Sequence, residues 1–253
     1  MSELLRMARV SASLDKRCLL GEVTRMDVPR YGERQAPFHV LLKGRCQLHH
    51  GGRVLKLKPG DVVLIPDGAP HRITTFGTGP DQGIVETPGE AFDTTRSERD
   101  DPPVIDLFCG HYRFDAGTGT MLFRSLPDPL HVSFGQASES GNVLRMLSAL
   151  MRGEAQREGE GTSAILSALC TVLLTMVLRT SHGASTTATL WTAAGDARIA
   201  KTIGRIIGEP GAQWSIDRLR REASMSRATF LRRFAQSTGM TAGSFVTRAR
   251  LMA

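Results

Sequence analysis

The chain has 253 residues, 41% hydrophobic and 23% charged, long enough for two cores and too apolar for an intrinsically disordered protein. Its 32 Lys and Arg outnumber 25 Asp and Glu, for a net charge of +7. From Asp196 onward 11 basic residues stand against 4 acidic ones, so the whole excess sits at one end. That is the footprint of a nucleic-acid-binding module joined to a neutral one, with a solvated basic face as the competing reading.

The N-terminal stretch Met-Ser-Glu-Leu-Leu-Arg-Met-Ala-Arg lacks the apolar core of a signal peptide. Cys18, Cys46, Cys109 and Cys170 are scattered without CxxC spacing, which points neither to a disulfide framework nor to a zinc finger. A reducing cytoplasm fits both features. Residues 19–135 carry short Val/Ile/Leu-rich runs separated by Gly, Pro and Asp, among them Phe38–Lys43, Cys46–His50, Val54–Leu57, Val62–Ile65 and Arg72–Thr75. Such spacing predicts strands of a barrel or sandwich, and Gly51-Gly52 predicts a hairpin. Residues 77–103, rich in Gly, Pro, Thr and acidic groups, are expected to form an exposed excursion before strand character resumes at Val104.

From Asn142 the apolar period becomes helical, with Val143, Leu144, Leu147, Leu150 and Met151 on one stripe. A second helix follows at Ser163–Leu178, free of charge but short of the ~20 residues that span a bilayer. Burial in a core or subunit interface is therefore expected, and Ile165, Leu169, Val172, Leu173 and Met176 are assigned to pairing two copies. Residues 182–195 are small and polar, as a linker.

The C-terminal stretch opens with a helix from Asp196 to Gly208. Two short helices follow, the first capped by Ser215 and packed through Ile216, Leu219 and Ala223, the second capped by Ser226 and packed through Phe230, Leu231 and Phe234. This layout places Arg227, Ala228, Thr229 and Arg232 toward base edges of double-stranded DNA and Arg218 and Arg233 toward phosphates, with the capping Ser226 also counted among the DNA-binding residues.

At Leu219…Ala223, Met225-Ser226-Arg227, Phe230…Arg233-Phe234 and Gly239 the sequence resembles the AraC/XylS family of transcription regulators. It departs from that pattern at Arg220, Ser224 and Ala242, where the family has a small residue, Gly and Pro. The resemblance implies a second helix-turn-helix beyond Ala253, so that this chain would carry the first half of the reader and bind DNA less strongly than a tandem pair.

Upstream, Gly60-Asp-Val-Val-Leu-Ile-Pro66-Asp-Gly68-Ala-Pro-His71 resembles the second motif of the cupin barrel, while the first cupin motif is poorly matched and supplies only His39. Segments like Cys109-Gly-His-Tyr and Leu126-Pro-Asp-Pro-Leu are similar to the cupin-type sensor domains of AraC-family regulators. Cys109 and His111 share a strand face. With His39 and His71 they form a candidate site for Zn²⁺ or another divalent transition metal, set against hydrogen-bonded histidines and a buried thiol.

The expected fold class is α+β. A cupin-like antiparallel β-barrel over 1–139 would sense a small molecule or metal, and a helical pair over 140–181 would form a homodimer. A linker over 182–195 would lead to an incomplete helix-turn-helix module over 196–253. This organisation implies a non-enzymatic, cytoplasmic transcription regulator with no membrane insertion. The competing readings are a cupin-fold metalloenzyme, which the incomplete first motif disfavours, and a truncated sensor or dimerisation protein that no longer binds DNA strongly.

Overall fold

A computed structural model describes residues 5, 8–99, 101–124, 126–134, 139–157, 159–182, 196–238 and 240–251. Of the expected linker over 182–195, residues 183–195 lie outside them, as does Gly239. The chain divides into two compact units, Ser11–Arg113 with Asp128–Ser181, and Met1–Val10 with Phe114–Pro127 and His182–Ala253. Phe114–Pro127, expected within the sensor, thus belongs with the C-terminal helices.

Among the described residues the first unit holds eleven strands: β1 (Ser11–Leu20), β2 (Arg25–Val28), β3 (Gln35–Lys43), β4 (Cys46–His50), β5 (Arg53–Leu57), β6 (Asp61–Leu64), β7 (His71–Thr75), β8 (Ile84–Thr87), β9 (Asp93–Ser97), β10 (Ile105–Arg113) and β11 (Leu130–Ser133). They pair as a seven-stranded sheet, β11-β6-β3-β10-β1-β9-β8, and a four-stranded sheet, β2-β7-β4-β5. The inner faces meet in a core of Cys18, Leu20, Leu41, Ile105 and Leu107 from the larger sheet and Met26, Cys46, Leu48, Leu57 and Ile73 from the smaller. Among the described residues the strands form these two sheets rather than one closed ring.

Local chemistry accounts for most of these elements. Gly51 and Gly52 take φ of 54° and 75°, the positive pair that a two-residue hairpin needs to match strand twist, and they join β4 to β5. Residues 77–103 depart from expectation, because they contain β8 and β9. Their Thr, Asp and Arg content masks the strand signal, and β9 is held by parallel pairing to β1 rather than by an apolar stripe.

The larger sheet's other face carries Phe38, Val40, Phe108 and Tyr112, all buried. Two helices follow in this unit, α2 (Glu139–Arg157) and α3 (Thr162–His182), numbered after α1 (Thr118–Arg124) of the other unit. Tyr112 Oη donates to the Cys170 carbonyl at 2.8 Å and Ser167 Oγ to the Ala12 carbonyl at 2.7 Å, tying α3 to β10 and β1. By length and composition α3 could cross a membrane. Its stripe of Leu166, Cys170, Leu173, Leu174, Val177 and Leu178 is buried in this unit, as in a core helix. Leu173 is therefore closed to a second copy, and Leu169 and Met176 are half-buried, whereas Ile165 and Val172 are exposed. On α2 the buried stripe is Leu144, Leu147 and Met151, while Val143 and Leu150 face outward.

The second unit contains α1, α4 (Ala197–Gly208), α5 (Ile216–Glu222), α6 (Arg227–Thr238) and α7 (Ala242–Leu251). Each of the last four begins at a polar cap. Asp196 accepts from Arg198 N, Ser215 from Arg218 N, Ser226 from Thr229 N and Thr241 from Ser244 N, satisfying orphan donors of the first turn. Ile199, Ile203, Ile206, Leu219, Phe230, Phe234 and Phe245 fill the core between them.

Ser224, in the turn before α6, has φ of 51°. A side chain there costs about 1–2 kcal/mol, whereas the greater unfolded-state freedom of glycine costs roughly 0.5–1 kcal/mol. Ser224→Gly should therefore raise stability by about 0.5–1 kcal/mol in urea unfolding; a lower midpoint would refute this.

Candidate functional site

In the first unit, four side chains from β1, β3, β7 and β10 meet inside the sheets. His71 Nδ1 lies 3.0 Å from the Ala69 carbonyl, His71 Nε2 lies 2.6 Å from His39 Nε2, and His39 Nδ1 lies 3.1 Å from Cys109 Sγ. Cys109 Sγ is in turn 3.6 Å from Cys18 Sγ. A carbonyl only accepts, so His71 carries its proton on Nδ1 and offers a bare Nε2. His39 then donates from Nε2 and accepts the Cys109 thiol proton at Nδ1. Both rings are neutral and satisfied in a single relay.

Burial, and secondarily the neighbouring His71, holds His39 well below the usual histidine range; burial likewise lowers His71 and pushes the Cys109 thiol well up. The linkage has one sign. The folded state keeps both rings neutral while the unfolded chain takes up protons below about pH 6.5, so stability is complete above that value and is lost as pH falls. Lowering pH from about 7 to 5 should remove up to about 1.4 kcal/mol per unit for each ring. His39→Gln should flatten this dependence, and an equally steep profile in the variant would remove the assignment.

The expected four-ligand metal site does not assemble. His39, His71 and Cys109 lie along a line rather than around a point, and they satisfy one another. His111 shares the Cys109 face, but its Nδ1 donates to both oxygens of Asp15 at 2.9 Å, and Tyr31 Oη donates to the same carboxylate at 3.1 Å. Burial and then the Asp15 charge raise the Tyr31 phenol far above its usual range. Among the described residues, one group of three His, Cys, Asp or Glu donors lies within 4.8 Å of one another, and it comprises His50, Asp67 and Asp128. The sequence motif located His39 and His71 but not their mutual contact, which depends on pairing across two sheets.

A cavity of about 300 Å³ opens above His39 and Cys109, lined also by Lys16, Met26, Tyr31, Gln35 and Glu86. Lys16 and Glu86 form an ion pair there. With an imidazole and a thiol in its floor, a phenol and an amide in its wall and one ion pair, it suits a small molecule with both apolar and hydrogen-bonding groups.

In the second unit, Ser226, Arg227, Ala228 and Arg232 are exposed on α6, with Thr229 half-buried beside them. Leu231, expected inward, is 37% exposed. Arg218 and Arg233 are engaged within the unit. The Arg218 guanidinium lies 4.1 Å from the Trp214 ring centroid and 3.3 Å from Glu222, while Arg233 pairs with Asp196 at 2.6 Å. Arg205 reaches Glu222 at 3.0 Å from the other side. Trp214 and Glu222 thus form a clamp of α4 on α5 that periodicity alone did not mark as paired. Arg227 and Arg232 make no ion pair among the described residues.

The segment expected in the sensor also docks here. Gly117 N donates to the Thr238 carbonyl at 2.6 Å, Arg124 Nη1 donates to the Gln236 carbonyl at 2.9 Å, and Arg248 pairs with Asp115. The C-terminal end of α6 is thus held by residues from a distant part of the chain.

A cupin family model matches residues 1–182, and the chain belongs to the cupin family. Over its full length it is similar to helix-turn-helix regulators. It is 27% identical over 253 residues to an uncharacterized HTH-type transcriptional regulator of Haemophilus influenzae, covering 99% of this chain and 82% of that one. It is 26% identical over 271 residues to the HTH-type transcriptional regulator MtrA of Neisseria gonorrhoeae, with the same coverage of 99% and 82%. The crystal structure of the AraC-like transcriptional activator CuxR aligns with 87% of this chain and 66% of its own, at 13% identity and a TM-score of 0.36.

Proposed function

We propose that this chain is a sequence-specific DNA-binding transcription regulator whose cupin-like unit senses a small molecule. The observation that carries the reading is α6, a capped helix with Arg227, Ala228 and Arg232 outward and with the chain's entire net charge in the surrounding stretch. A helix of this kind fits the major groove, where an arginine can donate two hydrogen bonds to one guanine. Regulator relatives matched over 99% of this chain and 82% of their own length support the same reading. The cavity above His39 and Cys109 is the effector site in this proposal, and DNA-binding strength changes as the effector selects between arrangements of the chain.

The full chain should enrich a defined motif from a random duplex pool. Its affinity should then fall steeply between about 50 and 200 mM salt, as neutralised phosphates release their counterions. Retention of no preferred sequence, or a flat salt response, would overturn the reading.

Two copies pair in this proposal through Met146, Leu150, Ile165 and Val172, four large apolar side chains that α2 and α3 leave between 46% and 62% exposed. A concentration-independent monomer in sedimentation would refute the pairing.

A further inference from the structure

His50, Asp67 and Asp128 come from three distant parts of one unit: the end of β4, the turn between β6 and β7, and the residues leading into β11. Their donor atoms all lie within 4.8 Å of one another. Each is set by a local feature. His50 immediately precedes the Gly51-Gly52 hairpin, Asp67 Oδ1 accepts from Ala69 N at 2.8 Å within the Pro66–Gly68 turn, and Asp128 Oδ1 lies 3.2 Å from His50 Nε2. Donors sharing one ion at bonds of about 2.0–2.2 Å stand roughly 3–4 Å apart, so only small side-chain rotations separate this arrangement from a coordinating one.

A buried imidazole facing two carboxylates is what calls for a ligand. The His50 side chain is 8% exposed, with Nε2 aimed into the cluster, yet its Nδ1 is buried without a hydrogen-bond partner. With the proton on Nδ1, the bare Nε2 lone pair faces the Asp128 carboxylate, a repulsion that a cation held between them would relieve. Two carboxylates, Asp67 and Asp128, complete the donor set. A divalent cation bound by the imidazole nitrogen and both carboxylates would draw these donors together.

We propose that His50, Asp67 and Asp128 form a binding site for a divalent transition-metal cation of the Zn²⁺ or Mn²⁺ class. One imidazole nitrogen and two carboxylates match the borderline hardness of these ions and balance their charge, whereas Mg²⁺ favours oxygen donors alone. Asp67 and Asp128 are exposed, so water completes the coordination. The site is separate from the His39–Cys109 relay and does not depend on the DNA-binding reading. It joins three segments, one of which carries the turn that delivers His71, so an ion here would brace the histidine pair inside the sheets.

The test uses the full chain, stripped with chelator and titrated with Zn²⁺ by calorimetry and with Mn²⁺ by electron paramagnetic resonance. One equivalent should bind saturably, and about 1 mM Mg²⁺ should not compete. Asp67→Asn and Asp128→Asn should each weaken binding at least about tenfold, whereas His39→Gln should bind as the parent does. Circular dichroism reports whether each variant is folded, and the exposed Asp67 keeps the test decisive if Asp128→Asn misfolds. Absence of saturable binding by the folded parent below about 1 mM would overturn the proposal. So would parent-like affinity in Asp67→Asn, or loss of binding in His39→Gln alone, which would assign the ion to the relay.

Discussion

Gly110→Ala is expected to unfold the sheet unit under conditions where the parent is stable. A Cβ at position 110 would lie 2.2 Å from the Ser13 carbonyl oxygen and 2.7 Å from Phe38 Cζ. Gly110 sits in the middle of β10, opposite Leu14 on β1 and Phe38 on β3, so both neighbouring backbones are fixed by ladders. Phe38 cannot turn aside, because it is fully buried and stacked on Tyr112 at 4.7 Å, and Tyr112 is anchored to α3. Overpacking a core by a methyl group usually costs about 1–3 kcal/mol through side-chain shifts. Here a backbone oxygen must move as well, and a loss of about 3–5 kcal/mol follows, a large share of a typical domain's stability. Gly153→Ala on α2 is the matched control. Its Cβ meets nothing within 4 Å, and helix propensity alone should make it neutral or stabilising by up to about 1 kcal/mol. Urea unfolding monitored by circular dichroism measures both, and a Gly110→Ala midpoint close to the parent's would refute the packing argument.

The second large effect concerns DNA. Arg227→Ala and Arg232→Ala should each cost about 1–3 kcal/mol of binding to a selected site, roughly 5- to 150-fold, while leaving the thermal midpoint unchanged. Both side chains are exposed and make no ion pair among the described residues, so folding loses little with them. Arg218→Ala should behave oppositely. It removes the guanidinium stacked on Trp214 and hydrogen-bonded to Glu222, so it lowers stability before it alters the salt dependence of binding. Fluorescence anisotropy at several salt concentrations, with melting curves on the same proteins, separates the two classes. If Arg218→Ala weakened DNA binding without destabilising the chain while Arg227→Ala did nothing, the assignment of the reading face to α6 would fail.

Local signals carried far in this chain. Gly51-Gly52 marked a hairpin, Ser215 and Ser226 marked helix starts, and Leu219, Phe230 and Phe234 marked a helical core, because each depends on residues within a turn or two. His71 followed from turn chemistry at Pro66–Gly68 and from the cupin resemblance, whereas His39 came from that resemblance alone. Residues 84–87 and 93–97 were missed as strands, since such polar strands, the edge strand β8 and its neighbour β9, draw their order from paired neighbours rather than from an apolar stripe. Leu231 and Leu173 exchanged their expected faces for a related reason. On a mostly apolar helix the period is too weak to say which side meets the sheet, and on α6 the aromatic pair already fills the inner face.

The sequence by itself determined the two kinds of structure, the concentration of charge in the last 58 residues and the arginines of the outward helix. Periodicity, caps and net charge are properties of neighbouring residues, and they survive any rearrangement of the rest. Only the tertiary structure decided that His39, His71 and Cys109 form a line while Asp15 takes His111, and that Arg218 and Arg233 are held within the helical unit. It also decided that His50, Asp67 and Asp128 meet at all. Their convergence depends on strand register and on which sheet each segment joins, a choice made by the whole core together and recorded in no short stretch of the chain.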